Sequence, residues 1–319
     1  SRVRGGIPAK SGRPPPASNI LNENNINIKL HFGAETFFNE NLVERPIKTS
    51  KLKIGQTDLE NYDHFMQKEI FEQPITTKTC LKEYIDKIRE DINFYNLPVD
   101  PKKINKIVLI GCGTALYAAQ VGRLAIEHLA RVPSFAHVAS EFRQNDPVID
   151  SKALHFAVSQ SGETADTLSA VKYIQENDAE VRGVINVVGS SIARQCGHGV
   201  YIHSGPEQAV ASTKAFTNMI AALNLFALQI GRSRNLPRAA GRSLVKAMRE
   251  LPTQAESIIN SPAPYEDAVQ AIKNAKSVLF LGRGFSAPSR SSCSCLLYTS
   301  PSPRDVEESG FAWCGWKKK

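Results

Sequence analysis

The sequence predicts an α/β protein built on a doubly wound parallel sheet with helices on both faces. Three observations predict it. Largely apolar runs of strand length recur at Lys106–Ile110, Leu154–Val158 and Val181–Val188, the first with the continuous apolar character of a strand buried on both faces. Segments of helical periodicity fall between them, as at Ala165, Leu168, Val171 and Ile174, and strands alternating with helices give a parallel sheet. The runs end in polar turns at Gly111–Ala115, Ser159–Thr164 and Gly189–Ser191, and such sheets bind ligands beyond the carboxyl ends of their strands.

Taken in order, residues 1–20 are rich in Pro, Gly and basic residues and read as unstructured. Residues 21–60 are polar with short β-like pieces such as Ile26–Phe32. Asp63 is the expected N-cap of a helix that Pro74 should end or kink near Gln73. His64, at the start of that helix, reads as structural. A second amphipathic helix is expected over Leu81–Ile88, and Pro98 and Pro101 mark a loop. After the strand at 106–110 come a turn and a long helix through Arg131, a short strand at Phe135–Ala139, and the strand at 154–158. The strand at 181–188 leads into a short helix, a fifth strand at Gly199–His203, and a helix from Ala211–Lys214 to about Gly231. Residues 235–262 read as helical, with Pro237, Pro252 and Pro262 as punctuation. Lys276–Leu281 followed by Gly282-Arg283-Gly284 repeats the layout of Lys106–Gly113, a strand and then G-x-G, and reads as the opening of a second copy of the fold. No sheet pattern follows Pro288, and residues 289–319 read as a tail foreign to the rest.

The turn Ser159-Gln160-Ser161-Gly162-Glu163-Thr164 carries the chemistry. A helix N-terminus presents unpaired N–H groups and the positive end of a dipole, which suits an anion. Ser159, Ser161 and Thr164 add hydroxyl donors, and Gly162 allows a tight turn. Glu163 should point away from a phosphate. The turn by itself leaves two readings open, a helix cap and a phosphate cradle. A dinucleotide site is disfavoured because Leu116 stands where the fingerprint after Gly111 and Gly113 needs glycine, and no P-loop motif occurs.

Hydrophobic content of 42% and charged content of 22% over 319 residues are ordinary for a globular protein. The net charge of +8 is concentrated at the ends, with +4 in residues 1–18 and +2 in 289–319, which leaves +2 between them. That is no footprint for nucleic acid. The six cysteines form no C-x-x-C pair, so neither a zinc site nor a disulfide framework is expected. Cys112 reads as a small core-lining residue. No apolar run approaches a membrane span and no secretory signal is evident, which predicts a cytoplasmic protein; no cofactor is expected.

Several segments carry a family resemblance. Asp63–Pro74 resembles the helix that follows the glutaminase domain in the isomerising glutamine–fructose-6-phosphate aminotransferases, the glucosamine-6-phosphate synthases. Ser159–Leu168 resembles the phosphate loop of their sugar-isomerase (SIS) domain, a flavodoxin-like fold. Ala139–Arg143, Val210–Phe216 and Leu279–Gly284 match further motifs in family order. The resemblance covers roughly residues 60–288. It implies six units: a glutaminase-side remnant at 1–60, interdomain helices at 61–93, a first SIS domain at 94–234, a helical connection at 235–265, the start of a second SIS domain at 266–288, and the tail. It implies binding of fructose 6-phosphate and glucosamine 6-phosphate, with Thr114, Ala115, Ser159, Gln160, Ser161 and Thr164 at the phosphate and Val210 lining the sugar. It also implies a homo-oligomeric full-length protein. Ala115 stands where the family usually has Ser, and Gln208-Ala209 where it has Ile-Gly. The glutaminase cysteine and the acid–base residues after the second G-R-G strand have no counterpart here, so no catalytic residue is assigned and the chain is expected to bind without turnover. Alternatives are a non-catalytic sugar-phosphate sensor and a phosphosugar aldose–ketose isomerase.

Overall fold

The computed structural model describes residues 37–38, 41–42 and 58–299, apart from Lys87, Arg89, Pro262 and Lys276. The expectations for residues 1–20, for Ile26–Phe32, for Pro262 and for the tail beyond 299 lie outside the described residues. The chain divides into two units, 1–58 and 59–319. In the first, β1 (Phe37–Phe38) pairs antiparallel with β2 (Asn41–Leu42).

The second unit holds the fold. It opens with α1 (Phe65–Tyr84), then an antiparallel pair, β3 (Ile85–Asp86) with β4 (Asp91–Ile92). The alternating region follows as β5 (Ile107–Gly111), α2 (Gly113–Ala130), β6 (Ser134–Val138), α3 (Ala139–Phe142), β7 (Leu154–Ser159), α4 (Ala165–Glu176), β8 (Val181–Ile185), α5 (Ser191–Cys196), β9 (Gly199–Tyr201) and α6 (Lys214–Ser233). Three helices close the described chain: α7 (Arg238–Ile259), α8 (Ala263–Ile272) and α9 (Ser286–Thr299).

The five strands β5–β9 form one parallel sheet in the order β6-β5-β7-β8-β9. The chain therefore winds outward in opposite directions from β5, and the switch point lies between β5 and β7, where ligands bind in this topology. Every residue of β5, β7 and β8 is buried. Alternate side chains serve the two faces. Ile107, Leu109, Phe156 and Val158 join a core with α1, α2 and α6, whereas Val108, Ile110 and Ala157 join one with α3 and α4. The α2–α6 contact is close because α2 has a glycine there. A Cβ on Gly122 would stand 2.7 Å from Leu223 Cδ1.

Several expectations are corrected. Asp63 is not the N-cap; His64 occupies that position, exposed and with no side-chain bond. Pro74 does not end α1. Proline removes one N–H and orphans the carbonyl four residues back, but Gln73 Nε2 donates to Ile70 O at 3.1 Å and satisfies it. Pro252 likewise sits buried inside α7. The expected helix over 81–88 is instead the last turn of α1 and the β3–β4 pair. Asp86 Oδ1 accepts the Ile88 N–H at 2.8 Å and turns the chain, so Ile85 and Ile92 pair and bury while Ile88 is 93% exposed. The strand at 181–188 stops at Ile185. Of the strand expected at 276–281, the described residues 277–281 form none. Residues 277–281 have no ladder partner among the described residues, and Leu279 and Leu281 are exposed. After it the chain is helical through α9, which packs on α2 and buries Pro288 and Ser292.

Tyr84, the last residue of α1, guards the edge of the sheet. Its hydroxyl donates to Tyr201 O at 2.7 Å and accepts the Tyr201 N–H at 3.0 Å, on edge strand β9. Among the described residues no helix is long and apolar enough to cross a membrane.

Candidate functional site

At the carboxyl ends of β5 and β7 lies a cleft of ≈ 130 Å³. Thr114 and Ala115 reach it from the first turn of α2, Ser159 from the end of β7, Gln160 and Ser161 from the turn, and Thr164 as the residue preceding α4. Six of the seven residues expected at a sugar-phosphate site are thus brought together. Val210 is not among them; it is 59% exposed and stands outside the lining. Cys112 is half-buried and lines the cleft, where a core position was expected. Its sulfur lies 4.0 Å from Thr167 Oγ1.

The turn is held by its own hydroxyls. Ser159 Oγ accepts the Gly162 N–H at 3.0 Å and lies 3.4 Å from Thr164 Oγ1. Ser161 Oγ accepts the Glu163 N–H at 3.2 Å. A hydroxyl has one proton and two lone pairs. Ser161, with a lone pair engaged by a backbone N–H, keeps its proton to donate outward, and of the Ser159–Thr164 pair the hydroxyl that accepts keeps its own. No side chain caps α2 or α4; the N–H groups of Ala115 and Leu116 bond Cys112 O and that of Leu168 bonds Thr164 O, which leaves those of Gly113 and Thr114, and of the first three residues of α4, open to a ligand. Gly162 adopts φ +66°, and a Cβ there would stand 1.9 Å from Ser190 Oγ.

No lining residue carries a carboxylate, an ammonium, a guanidinium or an imidazole. Glu163 turns away, as expected: its Oε1 accepts the Ser191 N–H at 2.8 Å, and the Ser191 hydroxyl and backbone amide together hold its carboxyl below the usual range. The cleft is therefore a set of neutral donors under the positive ends of two helices. That set suits an anion held by hydrogen bonds.

Sequence reasoning missed Ser212 and Met219, which close the cleft. Ser212 was within reach, as a fifth hydroxyl two residues after Val210; its Oγ is buried without a partner. Nothing in the sequence distinguishes Met219 from the core residues around it. The loop bearing Ser212 is tied down by carboxylates. Glu69 of α1, raised in pKa chiefly by burial, accepts the N–H groups of Gln208 at 2.6 Å and Ala209 at 3.2 Å through Oε1. Glu207 Oε1 accepts those of Thr213 at 2.9 Å and Ala215 at 3.1 Å, at the start of α6. Buried Lys214 pairs with Glu72 at 2.5 Å.

Residues 102–229 match the SIS domain family model. The chain is 38% identical over 251 residues to a glutamine–fructose-6-phosphate aminotransferase of Thermus thermophilus, covering 76% of this chain and 41% of that protein. It is 39% identical over 231 residues to the enzyme of that name from Corynebacterium glutamicum, covering 71% and 37%. Among solved structures it is similar to the C-terminal domain of glucosamine-fructose-6-phosphate aminotransferase from Francisella tularensis, with a TM-score of 0.71 at 27% identity, covering 76% of this chain and 69% of that one. The chain spans about two fifths of the length of these curated relatives.

Proposed function

Because the chain belongs to the SIS-domain family, alongside the glutamine–fructose-6-phosphate aminotransferases, we propose that its cleft holds the phosphate of fructose 6-phosphate or glucosamine 6-phosphate. It would do so as part of a protein that makes the second sugar from the first and glutamine. The reading is carried by one observation: six hydroxyl-, amide- or backbone-bearing positions from α2, β7 and the turn before α4 meet at the switch point of the sheet.

In this reading Ser159, Ser161 and Thr164 donate O–H bonds to phosphate oxygens. Gln160 and the first-turn N–H groups of α2 and α4 complete the cradle. Ser159 also fixes the turn through the Gly162 N–H. Ser212 adds a hydroxyl from the opposite wall. A carbonyl shift along the sugar needs a placed general base and a stabiliser for the developing oxyanion. The lining supplies hydroxyls and one thiol and no such base, so these residues bind the ligand and do not by themselves turn it over.

Calorimetric titration with fructose 6-phosphate tests this. Saturable binding is expected, weakened at least tenfold in S159A/S161A/T164A, since each bond to a charged group contributes about 1.5–3 kcal/mol. Unchanged affinity in that variant, with its circular dichroism intact, refutes the phosphate roles. Glucosamine 6-phosphate formation by these residues alone would refute the division between binding and turnover.

A further inference from the structure

We propose that the cleft between the end of α6, the start of α7 and the β3–β4 pair is a second ligand site, for a small molecule bearing two or more phosphate groups. The cavity measures ≈ 450 Å³, within the range of small-molecule sites. Three guanidinium groups line it: Arg232 from the last turn of α6, and Arg238 and Arg242 from the first turns of α7. Asp91 is the single acid in the lining, and it is engaged by Arg232 Nη1 at 3.4 Å. Arg232 Nη1 also donates to Glu90 O at 2.8 Å. Neither Arg238 nor Arg242 has a hydrogen-bond or ion-pair partner among the described residues.

This placement works against the isolated fold. Arg238 and Arg242 are four residues apart on one helix face, where like charges repel. They also sit at the helix end whose dipole is positive, where cations are disfavoured. The first turn of α7 holds no acid and no side-chain cap. A local arrangement that breaks these preferences without compensation among the described residues marks a place where function sets the residues. A multiply charged anion would supply the missing compensation. The planar fork of arginine matches phosphate oxygens two at a time, and three forks along a cavity of ≈ 450 Å³ leave room and donors for more than one phosphate group.

The site is separate from the phosphate cleft and connected to it through α6. Met219 lines the first cleft and Arg232 the second, so about 20 Å of one helix runs between them. The proposal does not rest on the sugar-phosphate reading, and it stands on other residues.

The test is calorimetric titration of the full chain with inorganic pyrophosphate at low salt. The expected result is saturable binding that S159A/S161A/T164A retains and R238A/R242A weakens at least tenfold. The control is K246A/R249A, on the same helix and matched in charge, which should bind within twofold of wild type. Far-ultraviolet circular dichroism verifies folding, since all four side chains are exposed. Three outcomes would overturn the proposal: no saturable binding, unchanged affinity in R238A/R242A, or an equal loss in K246A/R249A, which would reduce the effect to net charge.

Discussion

Replacing Gly162 by alanine tests whether the geometry of the hydroxyl turn is set where the coordinates place it. Gly162 sits at φ +66°, and the added Cβ would stand 1.9 Å from Ser190 Oγ, 2.6 Å from Ser190 Cβ and 3.1 Å from Ile185 Cγ2. Rotating Ser190 relieves the first contact and leaves the second, so backbone must move. The left-handed conformation costs a non-glycine residue about 1–2 kcal/mol, and overpacking a close contact about 1–3 kcal/mol, so G162A should lose roughly 2–5 kcal/mol in urea denaturation. The double variant G162A/S190G isolates the steric part. Ser190 Oγ is buried without a partner, so its removal breaks no hydrogen bond, and the α5 cap tolerates glycine at a cost of a few tenths of a kcal/mol. The double variant should recover to within about 1–2 kcal/mol of wild type, the residue of the φ penalty. Fructose 6-phosphate affinity should follow the same order, because the displaced turn carries Ser159, Ser161 and Thr164. A G162A protein as stable as wild type, or no recovery on adding S190G, would refute the placement of the turn against Ser190.

Other outcomes follow from the same coordinates. Ala115 lies in the cleft at 8% exposure, and A115S should tighten fructose 6-phosphate binding several-fold by adding one donor, about 0.5–1.5 kcal/mol, read by calorimetry. Q73A should cost about 1–2 kcal/mol in urea denaturation, since it frees Ile70 O and the Thr217 hydroxyl; the loss should shrink in a P74A background, where the amide N–H returns to Ile70 O. Glu69 has a folded pKa raised above 4.5 by burial, against the lowering effect of its two backbone bonds. The folded state therefore holds its proton more tightly than the unfolded chain does, and this favourable contribution is complete below pH 4.5 and lost as pH rises through the folded value. Wild type should accordingly lose stability relative to E69Q as pH rises over that interval, and a flat difference between the two urea midpoints would contradict it.

The strands of the sheet were legible because burial on both faces leaves a largely apolar signature, which Ile107–Ile110 carries without interruption and Leu154–Val158 with His155 as its one polar residue. The hydroxyl turn was legible because its internal bonds are local, made by hydroxyls and amides within six residues of one another. Ser159, Gln160, Ser161 and Thr164 share one turn, and Thr114 and Ala115 follow the adjacent strand. What failed to show depends on partners distant in sequence. Pro74 reads as a helix stop unless the Gln73 amide is known to reach back to Ile70 O. Leu81–Ile88 carries helical periodicity, yet its last residues turn because Asp86 captures the Ile88 amide and Ile92 waits to pair with Ile85. Leu279–Leu281 has the composition of a central strand and no neighbouring strand among the described residues to make it one. Ser212 and Met219 enter the cleft through a loop and a helix whose approach is fixed from α1, some 140 residues earlier in the chain.

That last dependence bears on what the cleft is made of. The SIS match begins at residue 102, yet the wall carrying Ser212 is held by side chains from α1, which precedes it. Glu69 takes the amides of Gln208 and Ala209, Lys214 pairs with Glu72, Thr217 donates to Gln73 at 2.5 Å, and Thr77 donates to Asn218 at 2.9 Å. Glu69, Glu72, Gln73 and Thr77 recur at helical spacing, so one stripe of α1 grips the segment from 208 to 218. Lys214 and Asn218 are almost wholly buried, and stripping their partners would leave polar groups uncompensated in the interior, where the cost is greatest. The hydroxyl turn belongs to the sheet and would survive a displacement of α1, whereas the opposite wall would not. The two walls of the cleft are thus set by different parts of the chain, and a shift of α1 alters the one carrying Ser212 while leaving the hydroxyl turn in place.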